Sequence, residues 1–281
     1  MSDRASPASA PELAAAPLPE TKASLALPPQ LLVNGVRLAV FVALIALWQF
    51  VLTPLADPFY VSSPSRVAAR LWEWLTEGVI FVDLAYTMKS TFAGYAVGAL
   101  LGIAVGFVMG RVKFVGDVLD PFFDAFNSLP RVALGPLFLL WLGIDLAPKV
   151  VMVASLVFFV VMTNTRAGVR DVNPDYINVL RIMGADERTI LRKVVLPSAA
   201  GWIFASLQIA LPWALIGAVI GEMIASDKGM GYQILHAAGI LDSTGIFAGL
   251  VVLMVVGLVL THLIRLLERY SSRWRPQENG N

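Results

Sequence analysis

The chain has 281 residues, of which 57% are hydrophobic and only 15% are charged, and its formal net charge is +1. Soluble proteins carry roughly a quarter charged residues, so this composition excludes an ordinary soluble domain or pair of domains. Cysteine is absent from the sequence, which excludes disulfides, thiolate metal ligands and cysteine nucleophiles.

Several apolar stretches are long enough to cross a bilayer, and they predict an all-α integral membrane protein with six transmembrane helices. Residues 1–34, rich in Ala, Pro and Ser, predict a disordered cytoplasmic tail and not a cleaved signal. The membrane domain is predicted over residues 35–270, followed by a cytoplasmic tail at 271–281. We place the spans near 36–53, 84–110, 115–142, 149–170, 198–225 and 246–267.

The segment between the first two spans contains an amphipathic run from Pro64 to Leu75. Val67, Leu71 and Trp74 share one face of this run with Leu75, and its tryptophans suit a membrane interface. We expect the run to lie flat on the outer membrane surface or to contact an extracytoplasmic partner.

Glycine recurs at every fourth position of the second span, at residues 94, 98, 102, 106 and 110. A stripe of this kind allows another helix to approach at backbone distance. We therefore predict tight helix packing, which is compatible with a surface that slides during a conformational change. Gly217 and Gly221 form a shorter version in the fifth span.

The third span is interrupted by prolines and contains the polar residues Asn127, Ser128 and Arg131. A charge at mid-span costs about 2.5–3.5 kcal/mol and usually faces a cavity. We predict that these three residues line a polar cavity within the membrane. Alternatively, Arg131 snorkels to the inner interface or pairs with Asp124.

Three further polar residues are candidates for this cavity, namely Asn164, Gln208 and Glu222. Glu222 is expected near the outer end of the fifth span. It could hold an outer gate, contact a binding protein or be a plain interfacial carboxylate.

The segment 173–197 between the fourth and fifth spans is polar, charged and helical in pattern. Asn173 predicts the cap of a first helix, and Gly184 supplies the left-handed residue that ends it. Asp186 predicts the cap of a second helix, which we expect to stop before Pro197. Its length and charge favour docking onto something outside the membrane over an ordinary cytoplasmic loop.

The distribution of basic residues predicts the orientation of the spans. With the N-terminus inside, 15 of the 21 Lys and Arg residues fall on the inner side, 5 fall on the outer side and Arg131 is unassigned. Both termini and the segment 173–197 are therefore predicted to face the cytoplasm.

These features resemble the membrane-spanning permease subunit of binding-protein-dependent ABC importers, particularly the nitrate, sulfonate and taurine group. The family's cytoplasmic signature is Glu-Ala-Ala, three residues, Gly, nine residues, Ile, one residue and Leu-Pro. Gly184, Val194, Leu196 and Pro197 match it in register, whereas Asn178-Val179-Leu180 replaces the Glu-Ala-Ala triplet. The resemblance covers roughly residues 35 to 270 and includes Gly135-Pro136-Leu137 with Trp141 and Gly143, Asn164-Thr165 with Gly168-Val169, Glu222-Met223 and Gly229-Met230-Gly231.

The resemblance implies an ATP-driven importer of a small solute, such as a sulfonate, taurine or nitrate, that works by alternating access in a bacterial inner membrane. Its implied partners are a cytoplasmic ABC ATPase dimer, an extracytoplasmic solute-binding protein and a second copy of the chain, with no nucleic acid. The chain has no G-x-x-x-x-G-K-[ST] phosphate loop, so no catalytic residue and no cofactor are expected on it. ATP and Mg²⁺ are expected on the ATPase. The implied coupling residues are Asn178, Arg181, Gly184, Ala185, Asp186, Arg188, Leu196 and Pro197. The implied translocation path is lined by Asn127, Ser128, Arg131, Asn164, Gln208 and Glu222. An arginine in it would suit an anion such as a sulfonate or nitrate, although the family also includes permeases for neutral and cationic precursors.

Two other classes of protein predict different features. An ion-coupled secondary transporter that works without an ATPase predicts buried acid–base relays and internal repeats, and the sequence shows neither. A membrane-embedded enzyme predicts clustered metal ligands, but the only histidines are His236 and His262 and no H-E-x-x-H motif exists.

Overall fold

The computed structural model describes residues 29–55, 57 and 59–271. Most of the predicted N-terminal tail, residues 1–28, and nearly all of the predicted C-terminal tail, residues 272–281, lie outside the described residues. The described residues divide into two compact units, one up to residue 46 and one from residue 47 onward. The described α-helices are α1 (Pro29–Leu47), α2 (Thr53–Leu55), α3 (Pro64–Thr76), α4 (Val79–Arg111), α5 (Lys113–Ser128), α6 (Gly135–Leu142), α7 (Leu146–Arg170), α8 (Pro174–Ile182), α9 (Glu187–Ile190), α10 (Leu196–Ala225), α11 (Met230–Gly239) and α12 (Ser243–Ser271).

Five helical stretches among the described residues are long and apolar enough to cross a membrane. The sixth predicted span is a bent pair, in which Lys113–Ser128 and Arg131–Leu142 meet at 82°. The predicted all-α membrane fold is confirmed, with six spans when this pair counts as one. The five straight stretches are Gln30–Leu55, Val79–Arg111, Leu146–Arg170, Glu187–Ile224 and Ser243–Leu266.

The centre of the second unit is a packed layer formed by α4, α7 and α10. Its buried residues are mostly small or β-branched, which allows the helices to approach closely. A Cβ atom added to Gly98 would lie 2.6 Å from the carbonyl oxygen of Ala154, and one added to Gly102 would lie 2.8 Å from that of Phe158. The tight packing predicted from the glycine stripe is therefore confirmed, and α7 is the partner helix.

The glycine contacts also give the relative directions of these helices. Gly94 faces Val150 and Gly110 faces Val169, so α4 and α7 run in the same direction. Gly221 near the end of α10 faces Lys149 near the start of α7, so α10 runs in the opposite direction. Helices α4 and α7 end on the side of the protein where α8 and α9 lie, and we call this side the 'loop end'. We call the opposite side the 'far end'.

The amphipathic run after the first span forms α3 at the far end. The Ser63 hydroxyl caps it by accepting a hydrogen bond from the Arg66 amide at 3.3 Å. Val67 and Trp74 are buried against α11 and α12, so protein covers much of the apolar face that we expected to meet the membrane. Trp72 on the other side is 68% exposed.

Candidate functional site

The segment 173–197 forms a helical hairpin whose turn is centred on Gly184. The Asn173 side chain caps α8 by accepting a hydrogen bond from the Asp175 amide at 2.8 Å. Gly184 has φ +80°, and the Ala185 amide donates to the Leu180 carbonyl at 2.9 Å. The Gly184 amide donates to the carbonyl of Arg181 at 3.0 Å, which completes a Schellman motif. The caps and the turn predicted from the sequence are therefore present.

Asp186 begins the second arm of the hairpin. Its carboxylate accepts a hydrogen bond from the Thr189 amide at 3.0 Å, which satisfies a free donor of α9. Hydrogen bonding from Thr189 lowers the pKa of the Asp186 carboxyl group below its ordinary value. The cap is therefore complete at neutral pH, and its contribution to stability is lost only as the pH falls through this lowered value.

The prediction that the second helix stops before Pro197 is wrong. After α9 the chain makes one π-helical turn, Leu191–Val195, and continues directly into α10. The Leu196 amide bonds to the Leu191 carbonyl across this wider turn. The π turn shifts the hydrogen-bond register before Pro197, and the proline then occupies the first turn of α10, where its missing donor costs little.

The hairpin is attached to the loop end by an apolar cluster. Ile190 and Val195 are almost completely buried against Val169, Val172 and Ala199. Partly buried residues of α4, α8 and α10 pack around them. Burial of this kind on both arms fixes the hairpin to the transmembrane helices, so a displacement of one moves the other.

A charged network adds a second attachment that the sequence analysis did not find. Glu187 accepts hydrogen bonds from Arg111 at the end of α4 and from Arg181 at the end of α8, the latter at 2.8 Å. Arg111 and Glu187 are 76 positions apart, so no local pattern pairs them. The network joins both arms of the hairpin to the helix that carries the glycine stripe.

If the hairpin transmits movement, as the resemblance to ABC importer permeases implies, replacing Glu187 with glutamine is expected to reduce solute uptake about two- to threefold, because exposed ion pairs contribute modestly to the attachment of the hairpin. The exposed Glu77, which makes no ion pair among the described residues, provides the matched control when it is also replaced with glutamine. Initial uptake rates, normalised to the amount of chain in the membrane, test this expectation. Equal rates for the two variants would show that the network does not transmit movement.

One side of the hairpin presents exposed apolar side chains. Ile182 and Met183 are 86% and 76% exposed, and Tyr176 and Val179 are also exposed. Val179 belongs to the triplet that replaces Glu-Ala-Ala. Apolar residues this prominent and this close together are typical of a contact surface.

The predicted coupling residues fall on this hairpin and at its junction with α10. Asn178, Arg181, Gly184, Asp186 and Arg188 are exposed and Ala185 is half-buried. Leu196 and Pro197 are exposed at the start of α10. The structure thus brings these residues to one end of the protein, and their role in coupling stays a prediction.

The predicted path residues do not form a single cluster. Asn127, Ser128 and Arg131 lie together at the bend between α5 and α6. Asn164 is half-buried in α7, and its amide donates to the carbonyl of Val160 at 2.7 Å. Gln208 is half-buried in α10. A helix rises about 1.5 Å per residue, so Gln208 lies about 21 Å along α10 from Glu222.

Glu222 lies in a buried polar cluster at the far end. Its carboxylate accepts hydrogen bonds from the Thr87 hydroxyl at 2.9 Å and the Gly231 amide at 3.0 Å, with a longer one from Ser90. Nearby, Asp83 accepts from the Gly229 amide at 2.8 Å and from Gln233 at 2.7 Å. Glu222 is fully buried and is therefore not the interfacial carboxylate considered from the sequence.

The cluster joins α4, α10 and the start of α11. Gly229 has φ +104°, and a Cβ atom there would lie 2.5 Å from a Glu222 carboxylate oxygen. The glycines around Met230 therefore allow the backbone to reach the carboxylate. Sequence reasoning selected Glu222 but missed Asp83, Thr87 and Ser90, which lie more than 100 positions before it.

Among the described residues, no group of three or more His, Asp or Glu side chains is placed to hold a metal ion. His236 lies on α11, with its ring centroid 5.8 Å from that of Tyr232. His262 lies on α12.

Comparison with known proteins gives consistent matches. The family described as binding-protein-dependent transport system inner membrane component matches residues 98–273. The putative aliphatic sulfonates transport permease protein SsuC of Bacillus subtilis is 30% identical over 238 residues, which cover 84% of this chain and 86% of that protein. The riboflavin transport system permease protein RibX of Chloroflexus aurantiacus is 32% identical over 232 residues, which cover 82% of this chain and 87% of that protein.

A solved structure shares the fold. The MetNI methionine ABC transporter, in a structure of its inward-facing conformations, aligns with a TM-score of 0.52 and 20% sequence identity. The alignment covers 71% of this chain and 95% of the other.

Proposed function

Because the chain belongs to the family of binding-protein-dependent transport system inner membrane components, we propose that it is the permease subunit of an ATP-driven importer. A cytoplasmic ABC ATPase dimer supplies the energy, and ATP and Mg²⁺ bind there and not on this chain. An extracytoplasmic binding protein delivers the solute, and two copies of the chain form the path.

The observation that carries this proposal is the hairpin around Gly184. It is held rigid by two caps and a Schellman turn, and it is fixed to α4, α7 and α10 by apolar contacts and by Glu187. It nevertheless exposes Tyr176, Val179, Ile182 and Met183. A rigid element that is attached on one side and has an exposed apolar surface on the other suits the transmission of movement from a partner.

The charges around the hairpin support its cytoplasmic location. Basic side chains gather at the loop end, whereas far fewer lie at the far end, in agreement with the rule that positive residues stay inside. We propose that the loop end faces the cytoplasm and that both termini lie on that side of a bacterial inner membrane.

Movement of the hairpin can reach the bent third span through ion pairs at the loop end. Asp120 of α5 pairs with Arg166 of α7, and Asp117 lies 3.8 Å from Arg170 one turn further along. The hairpin packs against Val169 and Val172 beside these arginines. A displacement of the hairpin would therefore tilt α5 together with the end of α7.

The proposed solute is a small anion. The relative named for aliphatic sulfonates supports this class, and the positive side chain of Arg131 at the bend supports it independently.

Purification of the tagged chain from cells that express its neighbouring genes tests the proposal. We expect an ATPase subunit to co-purify in a one-to-one ratio, and we expect uptake into proteoliposomes to require ATP and the binding protein. Uptake by the chain alone, driven by an ion gradient, would instead establish a secondary transporter.

A further inference from the structure

Arg131 lies beside the midpoint of α7, a helix long enough to cross a membrane. The carbon atom of its guanidinium group is 4.3 Å from the centroid of the Phe159 ring. Phe159 is 13 residues from the start of α7 and 11 from its end, which corresponds to about 20 Å and about 16 Å along the helix. Arg131 therefore does not snorkel to either interface.

The charge of Arg131 has no carboxylate partner among the described residues. Its guanidinium group donates to the side-chain and backbone oxygens of Asn127, and its Nε atom is buried without a hydrogen bond. Asp124, considered above as a partner, does not form an ion pair with it.

The arginines at the loop end provide a direct contrast. Arg111, Arg166 and Arg181 each contact a carboxylate, although they lie where water can solvate them. Arg131, at the depth where charge is most costly, contacts only neutral groups. The described residues offer its charge only the Asn127 oxygens and the face of the Phe159 ring, so the charge remains able to attract an anion.

The bend presents Arg131 together with a second polar group. The 82° break at Leu129 and Pro130 ends α5, and Asn127 and Arg131 lie on its two sides. The Asn127 oxygen accepts from Arg131, and its amide nitrogen makes no hydrogen bond among the described residues. A guanidinium fork beside an amide donor suits an oxyanion with two or three equivalent oxygens.

Aromatic rings border the same place. The ring of Phe123 lies 6.1 Å from that of Phe159 and 5.9 Å from that of Phe158, measured between centroids. These rings offer an apolar surface next to the charge, which would accommodate the carbon atoms of an organic anion but contribute little to nitrate.

We propose that Arg131, Asn127 and the Phe159 ring form a selectivity site in the path, which binds the charged group of a small organic oxyanion while its carbon atoms contact the aromatic rings. This inference rests on the proposed function and adds the solute class and the residues that select it.

The test uses the complete transporter with its ATPase and binding protein in proteoliposomes, with ethanesulfonate and nitrate as probes. Replacing Arg131 with glutamine is expected to lower ethanesulfonate uptake at least fivefold. Replacing it with lysine keeps the charge but loses the two-pronged guanidinium group, and is expected to raise the KM for uptake several-fold. Phe159→Leu is expected to lower ethanesulfonate uptake more than nitrate uptake. Arg66→Gln, at an exposed position of α3, is the matched control and should behave as the wild type.

ATP hydrolysis by each variant separates the possible outcomes. Normal ethanesulfonate uptake by the Arg131→Gln transporter would overturn the selectivity site while leaving the ATP-driven importer intact. ATP-driven import of a neutral or cationic solute, with neither anion transported, would also overturn it. Anion uptake that does not require the ATPase would refute the proposed function, and the Arg131 variants would still test the site. If Arg131→Gln fails to assemble, an unchanged KM for Arg131→Lys would overturn the inference.

Discussion

Replacing Gly184 with valine is expected to lower ATP-dependent uptake at least about tenfold while leaving the transmembrane helices folded. Gly184 has φ +80°, a conformation in which a β-branched residue is strained by about 1–3 kcal/mol. A Cβ atom there would contact nothing within 4 Å, so the backbone and not crowding causes the effect. The strain opens the Schellman turn and changes the angle between the two arms. The number of solute molecules transported per ATP hydrolysed measures the loss.

Two substitutions serve as controls for this prediction. Gly184→Asn should retain most of the uptake, because asparagine tolerates the left-handed conformation better than other residues with a side chain. Gly239→Val adds the same side chain at another glycine with open space around it but without a positive φ, and should leave the coupling ratio unchanged. Wild-type coupling in Gly184→Val would show that a rigid turn is not needed.

The hairpin was predictable from the sequence because its determinants are local. A cap, a left-handed glycine and a second cap each act within a few residues, and Asn173, Gly184 and Asp186 occupy those roles. The glycine stripe of α4 was predictable for the same reason, although only the structure identifies α7 as its partner.

The features that the sequence did not predict depend on distant residues or on a change of register. The pair of Arg111 and Glu187 and the polar cluster around Glu222 join helices that are far apart in sequence. Pro197 indicated the end of a helix, but a π turn before it allowed the helix to continue. A proline in the sequence predicts that one backbone hydrogen-bond donor is missing, but it does not predict how the preceding turn compensates for that loss.

The two strongest candidate residues, Arg131 and Glu222, differ in the surroundings of their ionisable groups. Arg131 lies at mid-depth with neutral contacts, whereas Glu222 is enclosed by donors from α4 and α11. A carboxylate that accepts hydrogen bonds from two other helices is suited to hold those helices together. A cation that donates only to one nearby asparagine among the described residues is suited to bind a solute. The two residues therefore call for different experiments.

Replacing Glu222 with alanine is expected to destabilise the folded chain by about 2–5 kcal/mol, and its main effect should be on folding. The substitution leaves the Gly231 amide buried without an acceptor, at a cost of about 1–3 kcal/mol, and loss of the buried side chain leaves a cavity at a further cost. The Thr87 hydroxyl keeps the Asp83 carbonyl, 3.1 Å away, as an acceptor. Glu222→Gln keeps one acceptor oxygen and should be less destabilising. The apparent Tm of the purified chain in detergent measures this order.

A double substitution tests whether the cluster acts as a unit. Thr87→Val removes the hydroxyl at nearly constant volume. The loss of stability that it causes should be smaller when Glu222 is already alanine, because the two side chains share one hydrogen bond. Uptake per folded molecule should stay near that of the wild type in the variants that fold. If Glu222→Ala instead keeps the wild-type Tm but abolishes uptake, Glu222 would belong to the path and the structural role would be wrong.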